Sequence, residues 1–271
     1  MVLPMVSRPA AGYWVDSQRP LASLIFLLPL LTTYEWGVRW FNATHFAAVR
    51  NGADTWMQTW LLQVGVNRPW VLPALIIAVL CVWHLVRRYP WRVSLDTLIG
   101  MFSESLLGAI LLLVIGQVLS LSLRHAGWMP SETITMAVPT RVATAVGFLG
   151  AGIYEEVLFR LLLLPATFLA LRALLIPRRT AAVAAVLMTS LIFSLAHYVT
   201  PAGGETLLSL TAFTHAAQQV ATTPEAWFGF GFRVLAGIIF AVTFLLRGFG
   251  ITVGCHALYD LLVGVLMTPD A

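Results

Sequence analysis

The chain has 271 residues, 59% hydrophobic and only 10% charged, with a mean hydropathy of +0.85. Soluble domains carry about 25% charged residues, so this composition excludes an ordinary soluble enzyme and places the chain in a membrane class. The net charge is +4 and all sixteen basic residues are Arg; they are scattered and form no basic stripe, which argues against a nucleic-acid partner.

Crossing about 30 Å of hydrocarbon takes roughly 20 apolar residues in a helix. In chain order the apolar runs that approach this length are 21–40, 70–86, 98–123, 141–164, 181–199, 229–246 and 250–267. The first follows Arg8 and Arg19 as a signal peptide would, but no small-residue cleavage site ends it, so it reads as an uncleaved span. The stretch 165–176 is also apolar and either extends the fourth span or forms a short helix of its own. The runs are continuous rather than alternating, which excludes a barrel. The expected fold is therefore all-α, a polytopic transmembrane bundle of seven to eight spans. Residues 1–139 form an N-terminal membrane region with about three spans, and 140–267 hold the candidate chemistry. Cys81 and Cys255 lie in apolar runs and do not suggest a disulfide.

Arginines set the orientation. Arg8 and Arg19, then Arg87, Arg88 and Arg92, then Arg172, Arg178 and Arg179, and finally Arg247 all fall on one face of a seven-span bundle. That face is expected to be cytoplasmic, in the cytoplasmic membrane of a bacterium. The opposite connections, 41–69, 124–140 and 200–228, are longer and hold fewer arginines. Loops 41–69 and 200–228 are candidate surfaces for a substrate or partner. Within the latter, His215 and the 216–223 stretch read as an ordinary connection with some amphipathic character.

Ionisable groups at bilayer depth cost roughly 2.5–3.5 kcal/mol each on insertion scales. Here they concentrate in the C-terminal half: Glu155, Glu156, Arg160, His197, Arg233, His256 and Asp260. Glu35, Arg39, His84 and Glu104 lie near span ends, where snorkelling accounts for them; Glu35 and Arg39 are also spaced to pair. Glu156 has Arg160 four residues on, the favoured acid-before-base order, and is expected to stay ionised and structural. Glu155 has only Leu158 and Phe159 at those positions and is the carboxylate left over for acid–base work. A buried ion network holding the bundle together explains the same residues without any chemistry. His197, alone on its span, fits an interfacial role as well as a functional one. His256 and Asp260 share a helix face, so the carboxylate can fix the imidazole tautomer or clamp a neighbouring helix.

The series Glu155-Glu156-x-x-x-Arg160, Phe193-x-x-x-His197 and His256-x-x-x-Asp260 resembles the CPBP family of intramembrane glutamic endopeptidases. That family includes the CAAX prenyl proteases and bacterial immunity and bacteriocin-processing relatives. The resemblance covers about 140–267 and departs at two places: Leu161 stands where Gly is common, and Asp260 where Asn is common. An ionised Asp cannot donate a hydrogen bond as Asn can. The resemblance implies a catalytic set of Glu155, His197, His256 and Asp260, with Glu156, Arg160 and Phe193 in support and neither metal nor cofactor. Glu155, assisted by His197, would activate water against the scissile carbonyl of a membrane-associated peptide or protein. His256 would donate to the oxyanion, and Asp260 would orient His256 or, if protonated, donate itself. Gly147, Gly150, Ala151 and Gly152 would permit close approach of a helix or substrate.

Two other classes compete. A non-catalytic scaffold or chaperone could retain these residues structurally, and converging Glu, His and Asp side chains could instead serve a metal site or an ion-coupled transporter. No His-Glu-x-x-His or Gly-x-Ser-x-Gly motif supports another hydrolase. Cys255 points about 100° away from its neighbour His256, although it could meet His197 across helices. Depth is the difficulty: counted from the cytoplasmic ends, His256 lies roughly 9 Å in and His197 about 24 Å in. Straight, perpendicular helices would keep them apart.

Overall fold

A computed structural model describes residues 12–43, 49–125, 141–199 and 210–266. The described residues are all helical or connecting. In chain order the helices are α1 (Tyr13–Asp16), α2 (Pro20–Ala43), α3 (Gly52–Gln63), α4 (Val71–Val86), α5 (Leu95–His125), α6 (Arg141–Gly150), α7 (Leu164–Ala173), α8 (Arg178–Ala196), α9 (Leu210–Thr222), α10 (Pro224–Arg247) and α11 (Phe249–Leu261). Three π-helical segments interrupt them: π1 (Ala151–Glu155) and π2 (Val157–Leu163) between α6 and α7, and π3 (Leu262–Leu266) after α11.

Four helices among the described residues are long and apolar enough to cross a membrane: 20–42, Leu95–His125, Arg178–Ala196 and Pro224–Arg247. Val71–Val86 and the 249–265 segment are shorter apolar helices. The expected fourth span is helical from Arg141 to Ala173, but its two π segments divide it, and the apolar 165–176 stretch continues it as α7. α5 exposes Leu107, Ile110, Leu111, Val114, Val118 and Leu121. A monomer in water does not carry so extended an apolar face, whereas lipid requires it and the helical backbone satisfies its own polar groups there.

Two connections that read as loops are partly helical. Within 41–69, α3 begins where Asn51 caps it, the side chain accepting from Ala53 N at 2.8 Å. Within 200–228, α9 buries Ala212, Ala216 and Val220. Their four-residue spacing makes one apolar face, and those small side chains let the helix settle against α8 and α10.

The last four helices pack in register. α8 and α10 run antiparallel: Ser190 lies against Gly237, Ser194 Oγ donates to Phe230 O at 2.8 Å, and Tyr198 Oη donates to Ala226 O at 3.0 Å. Each hydroxyl is satisfied on the backbone of the facing helix. Gly248, at φ +91°, reverses the chain between α10 and α11 with no intervening loop. Only glycine adopts that conformation without strain. α11 then threads the centre, meeting α2 through Gly250 N and Ser23 Oγ at 3.0 Å and α5 through Ser105 Oγ and Ile251 O at 3.2 Å.

Several polar residues near span ends do more than snorkel. Glu104 makes a two-pronged ion pair with Arg247, at 2.8 and 2.9 Å, under the Trp14 ring. His84 is 1% exposed and packs edge-on to Trp91. Glu35 accepts the Tyr154 hydroxyl, not the Arg39 head group its spacing suggested.

Candidate active site

Glu155 closes π1, Glu156 follows it, and π2 begins one residue later. π segments inside helices are rare and concentrate at functional sites, because the widened turn redirects side chains. Here the two adjacent carboxylates reach opposite nitrogens of one imidazole. Glu156 Oε1 lies 2.7 Å from His256 Nδ1, and Glu155 Oε2 lies 3.8 Å from His256 Nε2. Close approach of α11 makes this possible: a Cβ on Gly152 would stand 2.6–2.8 Å from the Ala257 Cβ, N and Cα. Gly150 similarly admits the Tyr34 ring, whereas Gly147 faces a cavity.

Glu156 is fully buried. It holds Arg160 Nε at 3.2 Å as well as His256 Nδ1. Arg160 in turn donates to Gly237 O and lies over the Phe193 ring, 4.4 Å from its centroid. Phe193 also meets the rings of His197 and His256 edge-on, at 4.9 and 6.0 Å. The i,i+4 pair foreseen on one helix is therefore the floor of a larger assembly. A carboxylate on Nδ1 makes that nitrogen the donor and leaves Nε2 of His256 aimed at the cavity. Asp260 Oδ2 is 3.5 Å from the same Nε2, so carboxylates flank both nitrogens of the ring, Glu156 on Nδ1 and Asp260 on Nε2.

His197 caps α8, and its Nδ1 lies 2.8 Å from Phe193 O. A carbonyl only accepts, so Nδ1 carries the proton and Nε2 faces Glu155 Oε2 at 3.6 Å. The structure thus brings Glu155, His197, His256 and Asp260 together despite the depth count. The His197 ring lies back against Phe193 O, and Glu155 Oε2 reaches between the two imidazoles. Cys255 does not join them; it packs against Gly108 of α5 and the cluster of Leu112, Phe232 and Phe240.

Sequence reasoning missed two neighbours. Phe240 stacks on His256, 4.5 Å between centroids and 16° from parallel. Asn51, from the loop before α3, donates through Nδ2 to Glu155 Oε1 at 3.0 Å. It is 104 residues away in sequence and carries no motif, so only its place in a loop flagged as a candidate surface hinted at it. Arg233 also reaches the cavity, its guanidinium against the Tyr198 hydroxyl at 3.3 Å.

All of this borders one cavity of ≈730 Å³. Its walls carry Phe148, Phe193, Phe228, Phe232, Phe240 and Tyr259, and the polar groups of Glu155, His197, His256, Asp260, Asn51, Arg50 and Arg233 converge within it. A mostly apolar pocket with a few convergent polar groups is the form binding sites take. Among the described residues no three His, Cys, Asp or Glu side chains are disposed to hold a metal ion.

Residues 137–262 match the family profile described as type II CAAX prenyl endopeptidase, Rce1-like. No curated protein and no solved structure matches the chain.

Proposed function

We infer that residues 137–262, a domain of the Rce1-like type II CAAX prenyl endopeptidase family, hydrolyse a peptide bond with water activated by Glu155. Membership of that family implies a membrane protease; the reaction type, the residues and their roles are our reading. One observation carries it: Glu155 Oε2 is buried, makes no direct hydrogen bond among the described residues, and faces both imidazole Nε2 atoms at 3.6 and 3.8 Å. Those distances are beyond a direct bond but within the span of one bridging water.

In this mechanism Glu155 takes a proton from the attacking water while His197 Nε2 steadies the second hydrogen. The water oxygen bonds to the scissile carbonyl carbon. His256 serves as the imidazolium: its Nδ1–H is held by Glu156, and its Nε2–H is presented to the developing oxyanion. Collapse of the tetrahedral species breaks the C–N bond, and the proton held by Glu155 passes to the leaving amine. Asp260, 3.5 Å from His256 Nε2, flanks that nitrogen and braces the ring on the side opposite Glu156. The substrate is a membrane-associated peptide or protein. The aromatic walls suit bulky apolar side chains, and Arg233 is a cation within reach of its polar parts, while Arg50 is committed to Asp54.

The test is cleavage of a membrane peptide library by the purified protein in detergent, read by mass spectrometry. His256→Ala is expected to lower kcat about 10²–10³-fold, the usual loss for one oxyanion donor. Wild-type protein without peptidase activity, or a His256→Ala variant with unchanged turnover, would refute the assignment.

We place the arginine-rich face in the cytoplasm of a bacterium. The cavity is then lined by the opposite ends of the helices: the start of α3 and α6, the end of α8, the start of α10 and the residues after α11. Substrate would reach it from the extracytoplasmic side. Gly52 lines this cavity, is exposed, and has open space for a side chain. In a Cys81→Ala/Cys255→Ala background, Gly52→Cys should react with an impermeant maleimide in intact cells. Labelling only after the membrane is breached would reverse the orientation.

A further inference from the structure

We propose that Asn51, which lies outside the matched family domain, is a positioning residue that selects which oxygen of Glu155 acts. This rests on the hydrolase reading above. Asn51 Nδ2 donates to Glu155 Oε1 at 3.0 Å, while its Oδ1 accepts from Ala53 N at 2.8 Å. Because a backbone N–H can only donate, the oxygen must face Ala53 and the NH₂ must face Glu155; the amide has no alternative orientation.

The residue is itself held. Its backbone N–H donates to Tyr34 Oη at 3.1 Å, and that hydroxyl donates to Asp54 Oδ2 at 2.7 Å. Asp54 is fully buried and also receives Arg50 and Gln58, at 2.5 and 2.8 Å. The first turn of α3 is thus pinned to α2 and presents a single amide to the glutamate. Next door, Tyr154 packs on the Tyr34 ring and donates to Glu35, so α2 also braces the residue preceding Glu155.

With Oε1 occupied, Oε2 is the oxygen between the two imidazoles, the only one of the pair that can reach a water touching both. Losing the amide frees the carboxylate to rotate and share its oxygens indiscriminately. A misplacement of about 1 Å at a reacting group can cost on the order of 10² in rate.

Capping and positioning are separable by substitution. Ser and Asp both cap a helix well, but neither presents an amide N–H to Glu155: Ser is too short and Asp has no donor when ionised. Asn51→Ser and Asn51→Asp should unfold within a few degrees of wild type, yet lose on the order of 10²-fold in kcat, with KM changed by less than about twofold. The loss in kcat without KM is the signature of a group that serves the reacting carboxylate rather than the pocket shape. Cap-preserving variants with wild-type kcat would overturn the proposal and leave the hydrolase reading standing. A wild-type protein that cleaves no peptide would overturn both.

Discussion

Glu155→Gln should fold normally and lose turnover by about 10²–10⁴-fold, the contribution expected of a positioned general base. The substitution is close to isosteric, and the Gln carbonyl oxygen can still accept from Asn51, so the packing of π1 against α11 is preserved. What disappears is the ability to take a proton from water. Thermal unfolding in detergent and cleavage of one peptide under single-turnover conditions check the two halves of the expectation. Retention of more than about a tenth of wild-type turnover would remove Glu155 from the chemistry, since no general base contributes so little.

Arg160→Met should be the most damaging change to stability, by about 3–5 kcal/mol, because it strips one partner from a buried pair. The Arg160 side chain is 2% exposed and Glu156 is fully buried. Met replaces the volume of the stem but leaves Glu156 facing His256 with a second oxygen uncompensated, and it removes the cation over Phe193. Adding Glu156→Gln to Arg160→Met should return part of the loss, because the orphaned charge goes with it. Denaturant or thermal titration of the single and double variants reads this coupling directly. Equal losses in the two would mean that the pair contributes packing alone.

Local spacing carried much of the site. The acid-before-base interval of Glu156 and Arg160 predicted their ion pair, and the same reading left Glu155 without a cation on its own helix. Contacts between helices were not legible that way. Glu156 also reaches His256, a contact that an i,i+4 rule cannot see because it spans two helices: Gly152 lets α11 approach closely enough for a carboxylate 100 residues away in sequence to reach the ring. Asn51 was invisible for the same reason. Among the described residues, apolar runs located the four helices of span length, since lipid demands length and hydrophobicity, but the α3 and α9 helices were missed because short helices in connections announce themselves only by a narrow face. The π segments around the glutamates were not read from the sequence; they lie where two adjacent carboxylates meet one imidazole.

The depth count treated the helices as level at their cytoplasmic ends and the side chains as level with their main chain. The ring of His197 lies back against Phe193 O, and Glu155 bridges what remains. Phe193 lies between Arg160 and the two histidine rings, while Glu156 links Arg160 directly to His256.

The central claim is that Glu155 acts on water rather than on the substrate itself, and a single turnover in H₂¹⁸O tests it most directly. The account predicts one ¹⁸O in the newly formed carboxyl group of the product on the first turnover, with the Glu155 side chain unlabelled. Label appearing in Glu155 while the first-turnover product stays unlabelled would show a covalent attack by the glutamate and contradict it.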